Sequence, residues 1–307
     1  MKRKDLLSIY SLTPDEIREL LDRTKTLKRW QKENVSHKPL DGKTLGMIFH
    51  KPSTRTRVTF EVGMYQLGGQ ALFLSGTEIQ LGRGETVSDT ALVLSRYLNG
   101  VVMRTFKQSD LEEFAQKATI PLINGLTDAS HPCQVLSDIF TLEEKFDSVK
   151  GIKVAYVGDG NNVANSWLFG ALKTGINLSI ATPDNYRIDP EIMKKAKGLE
   201  GKADGSFKIF IDPAEAVKNA DVIYTDVWTS MGKESERLER EKVFRPYQVN
   251  RDLLKHASKN VLVMHCLPAH RGQEITDDVL DGPQSAVLDQ AENRLHVQKA
   301  ILIKLLK

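Results

Sequence analysis

Thr44-Leu45-Gly46-Met47-Ile48-Phe49, followed by Ser53-Thr54-Arg55-Thr56-Arg57, is the stretch on which the fold reading turns. The first six residues are an apolar run of strand length. The second group opens a segment with Phe60 and Met64 on one helical face. Strand, short turn and helix is the structure this order implies. Such a turn leaves backbone N–H groups pointing out of the helix N-terminus, where the macrodipole favours an anion. Two arginines and three hydroxyls at that spot are donors suited to phosphate or carboxylate oxygens. A first helical turn ordinarily prefers acids, so two arginines conflict with the dipole unless an anion is expected.

The same alternation extends outward in both directions. Strands are expected at 70–74, 100–103 and 120–124, with helices at 54–67, 86–98 and 109–118. The second half repeats it, with strands at 153–157, 177–181, 207–211, 222–226 and 260–264. Thr13-Pro14-Asp15-Glu16 and Ser109-Asp110-Leu111-Glu112 read as capping boxes, and Asp212 as the cap of a further helix. Strands alternating with helices predict an α/β protein of two doubly wound parallel-sheet domains, linked by interdomain helices. The first is expected over 1–148 and the second over 149–290. One helix, at about 132–146, leads to the boundary, and a last one, at about 291–307, packs back on the first domain.

Composition agrees with a globular chain: 307 residues, 40% hydrophobic and 27% charged. The net charge of +3 is small and interspersed, which does not imply nucleic acid. No run approaches the ~18 apolar residues of a membrane span. The apolar stretch 6–10 is too short for a signal-peptide core. Two cysteines, Cys133 and Cys266, make no disulfide framework, so a cytoplasmic location is the expectation.

Ligands of open α/β sheets bind outside the carboxyl ends of the strands. The chemically loaded residues fall there. Ser53 to Arg57 follow the first strand, Gln80 the second, Arg104 the third, and His131-Pro132-Cys133-Gln134 the fourth. In the second half the positions are Gly158-Asp159-Gly160-Asn161-Asn162, Asp226 to Gly232, and His265 to Pro268. The glycine turn after 153–157 resembles a dinucleotide fingerprint, but Val163 stands at the third glycine and no acid ends the next strand, which disfavours a nicotinamide enzyme. His265, Cys266 and His270 lack the spacing of a structural zinc site, and Pro268 breaks any helical arrangement.

The residues 53–57, Gln80, Met103-Arg104-Thr105 and His131-Pro132-Cys133-Gln134 resemble the carbamoyl-phosphate site of the aspartate/ornithine carbamoyltransferases. Asp226-Val227-Trp228-Thr229-Ser230-Met231-Gly232 and His265-Cys266-Leu267-Pro268 resemble the ornithine branch of that family. The resemblance runs from the first capped helix to Arg294, with five motifs in order. His50 departs from it, standing where many members of the ornithine branch carry an acid.

The resemblance implies transfer of the carbamoyl group of carbamoyl phosphate to the δ-amine of L-ornithine, giving L-citrulline and phosphate. It assigns Ser53, Thr54, Arg55, Thr56, Arg57, Gln80 and Arg294 to carbamoyl phosphate. Arg104 and His131, with Thr56, are implied at the carbamoyl oxygen, and Gln134 with the Leu267 carbonyl at the carbamoyl nitrogen. Asp226 and Ser230 take the α-ammonium group; Asn162 and the Met231 N–H take the α-carboxylate. Asp226 and Cys266 stand near the attacking amine, which must lose the proton it carries below a pKa of about 10.4. No cofactor, metal or covalent intermediate is implied. A homotrimer with the Gln80 loop shared between subunits is. Another acceptor is the alternative. Aspartate would need cationic groups where Asp226 stands, and putrescine would leave Asn162 less to bind; an acylated ornithine is the third candidate.

Overall fold

The computed structural model describes residues 5–76, 79, 84–201 and 203–307. Gln80 lies outside the described residues. The chain divides into two compact units, Met1–Phe140 with Glu292–Lys307, and Thr141–Ala291.

The first unit runs α1 (Pro14–Lys32), β1 (Thr44–Phe49), α2 (Thr54–Gln66), β2 (Gln70–Ser75), α3 (Val87–Leu94), β3 (Gly100–Arg104), α4 (Gln108–Lys117) and β4 (Leu122–Leu126), and α5 (Pro132–Phe146) leads out of it. Thr13 caps α1 through a complete capping box with Glu16, and Pro14 takes the first helical position. The four strands are parallel in the order β2-β1-β3-β4. Every residue of β3 is buried, as a central parallel strand with covered faces requires. Ile48, Val101 and Met103 pack with Leu111 and Phe114 of α4.

The second unit contains β5 (Lys153–Val157), α6 (Asn162–Thr174), β6 (Asn177–Ala181), α7 (Pro190–Lys197), β7 (Ser206–Phe210), α8 (Pro213–Ala216), β8 (Val222–Thr225), α9 (Arg237–Phe244), α10 (Arg251–Leu254), β9 (Leu262–His265) and α11 (Asp277–Leu280). Helix α12 (Val287–Leu306) starts here and returns the chain to the first unit. The five strands are parallel in the order β7-β6-β5-β8-β9. Two doubly wound parallel sheets are thus present.

Several local expectations shift, and Arg104 and His265 are the last residues of β3 and β9 rather than the first beyond them. The Ser109 capping box does not form: α4 starts at Gln108 behind Lys107, whose side chain makes no cap. A tertiary bond holds that start instead, Thr127 Oγ1 donating to Gln108 Oε1 at 2.8 Å. Helix α3 ends at Leu94, short of the expected residue 98. Strand β4 begins at Leu122 because Pro121 has no N–H for the ladder. Its outer edge bonds residue 6, with Leu6 N donating to Leu122 O at 2.9 Å and Asn124 N to Leu6 O at 2.8 Å.

Candidate active site

In the first sheet the strand order reverses between β1 and β3. Phe49, the last residue of β1, is in register with Arg104, the last of β3. The β3/β4 ladder shifts register between Met103 and Arg104, which re-aims the backbone where Arg104 leaves the sheet.

Ser53 is the N-cap of α2, its Oγ accepting from Thr56 N at 3.3 Å, and the first turn carries no acid. Thr56 is fully buried. Its Oγ1 accepts from Ser53 Oγ at 3.0 Å and from an Arg294 terminal nitrogen at 2.7 Å, although 238 residues separate Arg294 from it. Arg104, His131 and Arg294 are buried as well. Burial, then the positive fields of Arg294, Arg104 and Arg55, hold the His131 imidazole well below its ordinary 6.5. His131 is therefore neutral at physiological pH, among three guanidinium groups. An anion suits that field.

Two further side chains shape this end. Lys51 forms an ion pair with Asp128 and sits 4.3 Å from the centre of the Phe106 ring. It ties the exit of β1 to the loop that delivers His131. Gln134, in the first turn of α5, donates Nε2 to Asp138 Oδ1 at 2.8 Å. Arg57 stands apart from the cluster. Its guanidinium pairs with Glu61 at 3.0 Å and lies 3.8 Å over Phe73. Cys133 is buried and donates to Asn124 O at 3.4 Å; burial pushes its thiol up to about 12, so it is inert.

In the second sheet the order reverses between β5 and β8. Asp226 follows β8 directly and is buried. Its Oδ1 accepts from Val227 N and from the Cys266 thiol, each at 2.8 Å, and its Oδ2 accepts from Asn161 Nδ2 at 2.8 Å. The Asn161 oxygen caps α6, accepting from Val163 N at 2.9 Å and Ala164 N at 3.2 Å, and also from Tyr156 Oη at 3.2 Å. Asn162 begins α6 and is half-buried. Gly160 must be glycine, since a Cβ there would meet the backbone of residues 186–188 at about 2.5 Å.

The segment carrying Ser230 and the exposed Met231 is a turn, closed by Lys233 N donating to Ser230 O at 3.0 Å. Buried Arg240 anchors it. One terminal nitrogen donates to Asp159 Oδ2 at 2.9 Å and to Trp228 O at 2.8 Å, while Nε pairs with Glu236 at 2.8 Å.

Leu267 takes a left-handed φ of 57° and is joined to Pro268 by a cis peptide bond. His265 Nδ1 accepts from Leu267 N at 2.8 Å, and its Nε2 faces Glu274 Oε1 at 3.0 Å. Ligand atoms of Asp226, His265 and Cys266 lie within 4.8 Å of one another, a spacing that could hold a cation. Both ring nitrogens of His265 are already engaged, however, and that bonding accounts for the grouping without an ion.

Family profiles match nearly the whole chain. The profile described as aspartate/ornithine carbamoyltransferase, carbamoyl-P binding domain, matches residues 4–144, and the Asp/Orn binding domain profile matches 150–305. The chain belongs to the aspartate/ornithine carbamoyltransferase family. It is 57% identical over 300 residues to an ornithine carbamoyltransferase of Syntrophus aciditrophicus, covering 98% of each chain. It is 55% identical over 306 residues to that of Pyrococcus abyssi, covering 100% of this chain and 96% of the other. The solved ornithine carbamoyltransferase of Pyrococcus furiosus superposes with a TM-score of 0.94 at 55% identity, over 97% of this chain and 96% of that one.

As a member of this carbamoyltransferase family, the chain places cationic groups in its carbamoyl-P binding segment and a pinned carboxylate in its Asp/Orn binding segment. Lys51, Asp138 and Arg240, given no role in the sequence, now stand beside these groups, and Asn161, expected only as part of the glycine turn, bonds Asp226. Asn161 carried a legible signal, an N-cap asparagine just ahead of an apolar helix. Gln134 and Asp138 carried another, a donor and an acceptor four residues apart. Lys51 had none, because its partner Asp128 is remote, and Arg240 offered only its spacing from Glu236, which does not reveal the remote bond to Asp159. Among the described residues, no helix is long and apolar enough to cross a membrane.

Proposed function

We propose that this chain transfers the carbamoyl group of carbamoyl phosphate to the δ-amine of L-ornithine, releasing L-citrulline and phosphate. Family membership and relatives named ornithine carbamoyltransferase over almost their whole length support this reaction. The observation that carries the site reading is the neutral His131 set among Arg55, Arg104 and Arg294. In that reading, Ser53, Thr54, Arg55 and Thr56 take the phosphate at the α2 N-terminus. Arg104, His131 and Thr56 donate to the carbamoyl oxygen, where negative charge develops as the amine attacks. A neutral imidazole retains one N–H for that purpose.

Gln134 and the Leu267 carbonyl accept from the carbamoyl nitrogen. Asp226 and Ser230 receive the α-ammonium group of ornithine, and Asn162 with the Met231 N–H its α-carboxylate. The δ-nitrogen lone pair forms the C–N bond, and a tetrahedral intermediate collapses by breaking the C–O bond to phosphate. The nitrogen sheds one proton, which the departing phosphate can accept. Positioning two substrates in this way contributes about 7–11 kcal/mol.

A homotrimer working in the cytoplasm completes the proposal. An exposed apolar face of α2, where Val58, Val62 and Tyr65 recur at helical spacing, supports self-association, while the number three rests on the family resemblance and the compartment on the cysteine usage. The deciding experiment is an acceptor panel with carbamoyl phosphate, run on enzyme sized by light scattering. Citrulline from ornithine is the expected product. Faster turnover of putrescine, aspartate or an acylated ornithine would sink the acceptor assignment, and a fully active monomer would sink the assembly.

A further inference from the structure

Gln134 and Asp138 are adjacent turns of the same face of α5, and both are buried. Gln134 Nε2 donates to Asp138 Oδ1 at 2.8 Å. A carboxylate offers only acceptors, so the amide must turn its NH2 toward Asp138 and its oxygen away. Gln134 Oε1 is then a buried acceptor with no hydrogen-bond partner among the described residues. Buried acceptors are rarely left so without a role, because each one carries a desolvation cost.

We propose that Asp138 is a positioning residue that sets donor specificity. By holding the Gln134 NH2, it keeps Oε1 presented as an acceptor for an N–H of the donor substrate. It thereby selects carbamoyl phosphate over isosteric acyl phosphates, of which acetyl phosphate is the simplest. The inference rests on the reading of Gln134 given above. In acetyl phosphate a methyl group replaces the NH2 and leaves Oε1 dry, whereas a carbamoyl N–H pairs with it. An amide free to flip would present donors instead, against a substrate NH2 that has no acceptor to offer. Sites built to bond a substrate N–H reject analogues lacking it far more strongly than apolar pockets discriminate by size.

The test compares carbamoyl phosphate with acetyl phosphate on the intact enzyme at saturating ornithine, following phosphate release. With acetyl phosphate the same amine attack forms an N–C(acetyl) bond, breaks the C–O bond and yields Nδ-acetylornithine and phosphate. In Asp138→Asn the partner can accept or donate, and the Gln134 amide loses its fixed sense. We expect kcat/KM for carbamoyl phosphate to fall by about ten- to a hundred-fold. For acetyl phosphate the change should stay within about three-fold, so that the preference collapses. Equal losses on both donors, or an unchanged preference, overturn the proposal.

Gln134→Met separates the two layers of the argument. If that variant leaves the preference intact, Gln134 does not read the carbamoyl nitrogen and the underlying assignment fails. If Gln134→Met abolishes the preference and Asp138→Asn does not, only the role of Asp138 fails. Should Asp138→Asn not fold, Asp138→Glu, which keeps a carboxylate but displaces it, is read by the same two-donor comparison, and unaltered enzyme tests the acceptor on which the proposal depends. Phosphonoacetamide should compete at least about ten-fold more tightly than acetonylphosphonate, its methyl counterpart, and equal competition overturns the proposal.

Discussion

At the β1/β3 reversal of the first unit, arginines gather around a neutral imidazole; at the β5/β8 reversal of the second, donors gather around a single carboxylate. The backbone rule is the same in both, since ligands of open parallel sheets bind past the strand ends where the order reverses. What differs is how charge is held. Asp226 is already bonded by Val227 N, Asn161 and Cys266, so its direction is set before any ligand arrives. Burial lowers the basicity of His131, and the like charges of Arg294, Arg104 and Arg55, which repel one another, lower it further. Like charges gathered in this way create a field that favours an anion. Topology sets the location of a site, and the side chains alone set its chemistry.

The comparison breaks most visibly at Arg104. Arg104→Ala removes a donor from the carbamoyl oxygen, and kcat should fall by about a hundred- to a thousand-fold, or about 2.7–4 kcal/mol, with the circular dichroism spectrum unchanged. Full activity in that variant would show that the cationic side is not the catalytic one. Asp226→Asn tests the other side. Removing one charge-assisted bond should raise KM for ornithine by about ten- to a hundred-fold and leave KM for carbamoyl phosphate within about three-fold. Parallel loss of both affinities would erase the division of labour.

The smallest effect concerns pH. Because the native fold keeps His131 neutral, kcat/KM for carbamoyl phosphate should show no inflection near 6.5 that His131→Gln removes. The same shift fixes the sign for stability. The unfolded chain takes up a proton at this position below 6.5, and the native chain does not, so this contribution is complete above 6.5 and declines as pH falls below it. Urea midpoints that rose on acidification, beyond those of His131→Gln, would contradict the neutral imidazole.

Much of this was readable residue by residue. Strand β1, the Ser53 cap, the capping box at Thr13, the position of Arg104 at the end of its strand, and the placement of His131 and Asp226 past strand ends depend on near neighbours in sequence. Where a tertiary partner took over, the local reading slipped. Ser109 has no cap role where Thr127 bonds Gln108, whereas the start of β4 was set by Pro121, a local signal that the apolar run obscured. Arg57 has the sequence context of a cradle residue, yet Glu61 and Phe73 hold its side chain.

By itself, the sequence determined the α/β class, the family and the residue types available for anion and amine chemistry. Hydrophobic period, caps and motif order are local properties, and a chain carries them before it folds. Only the tertiary structure decided which polar atoms meet. Arg294 reaches Thr56 across 238 positions, Arg240 reaches Asp159 across 81, and Asn161 reaches Asp226 across 65. Strand order, the return of α12 to the first unit and the packing of α9 bring those positions together, and a hydrogen bond of about 3 Å exists only once packing has fixed both partners.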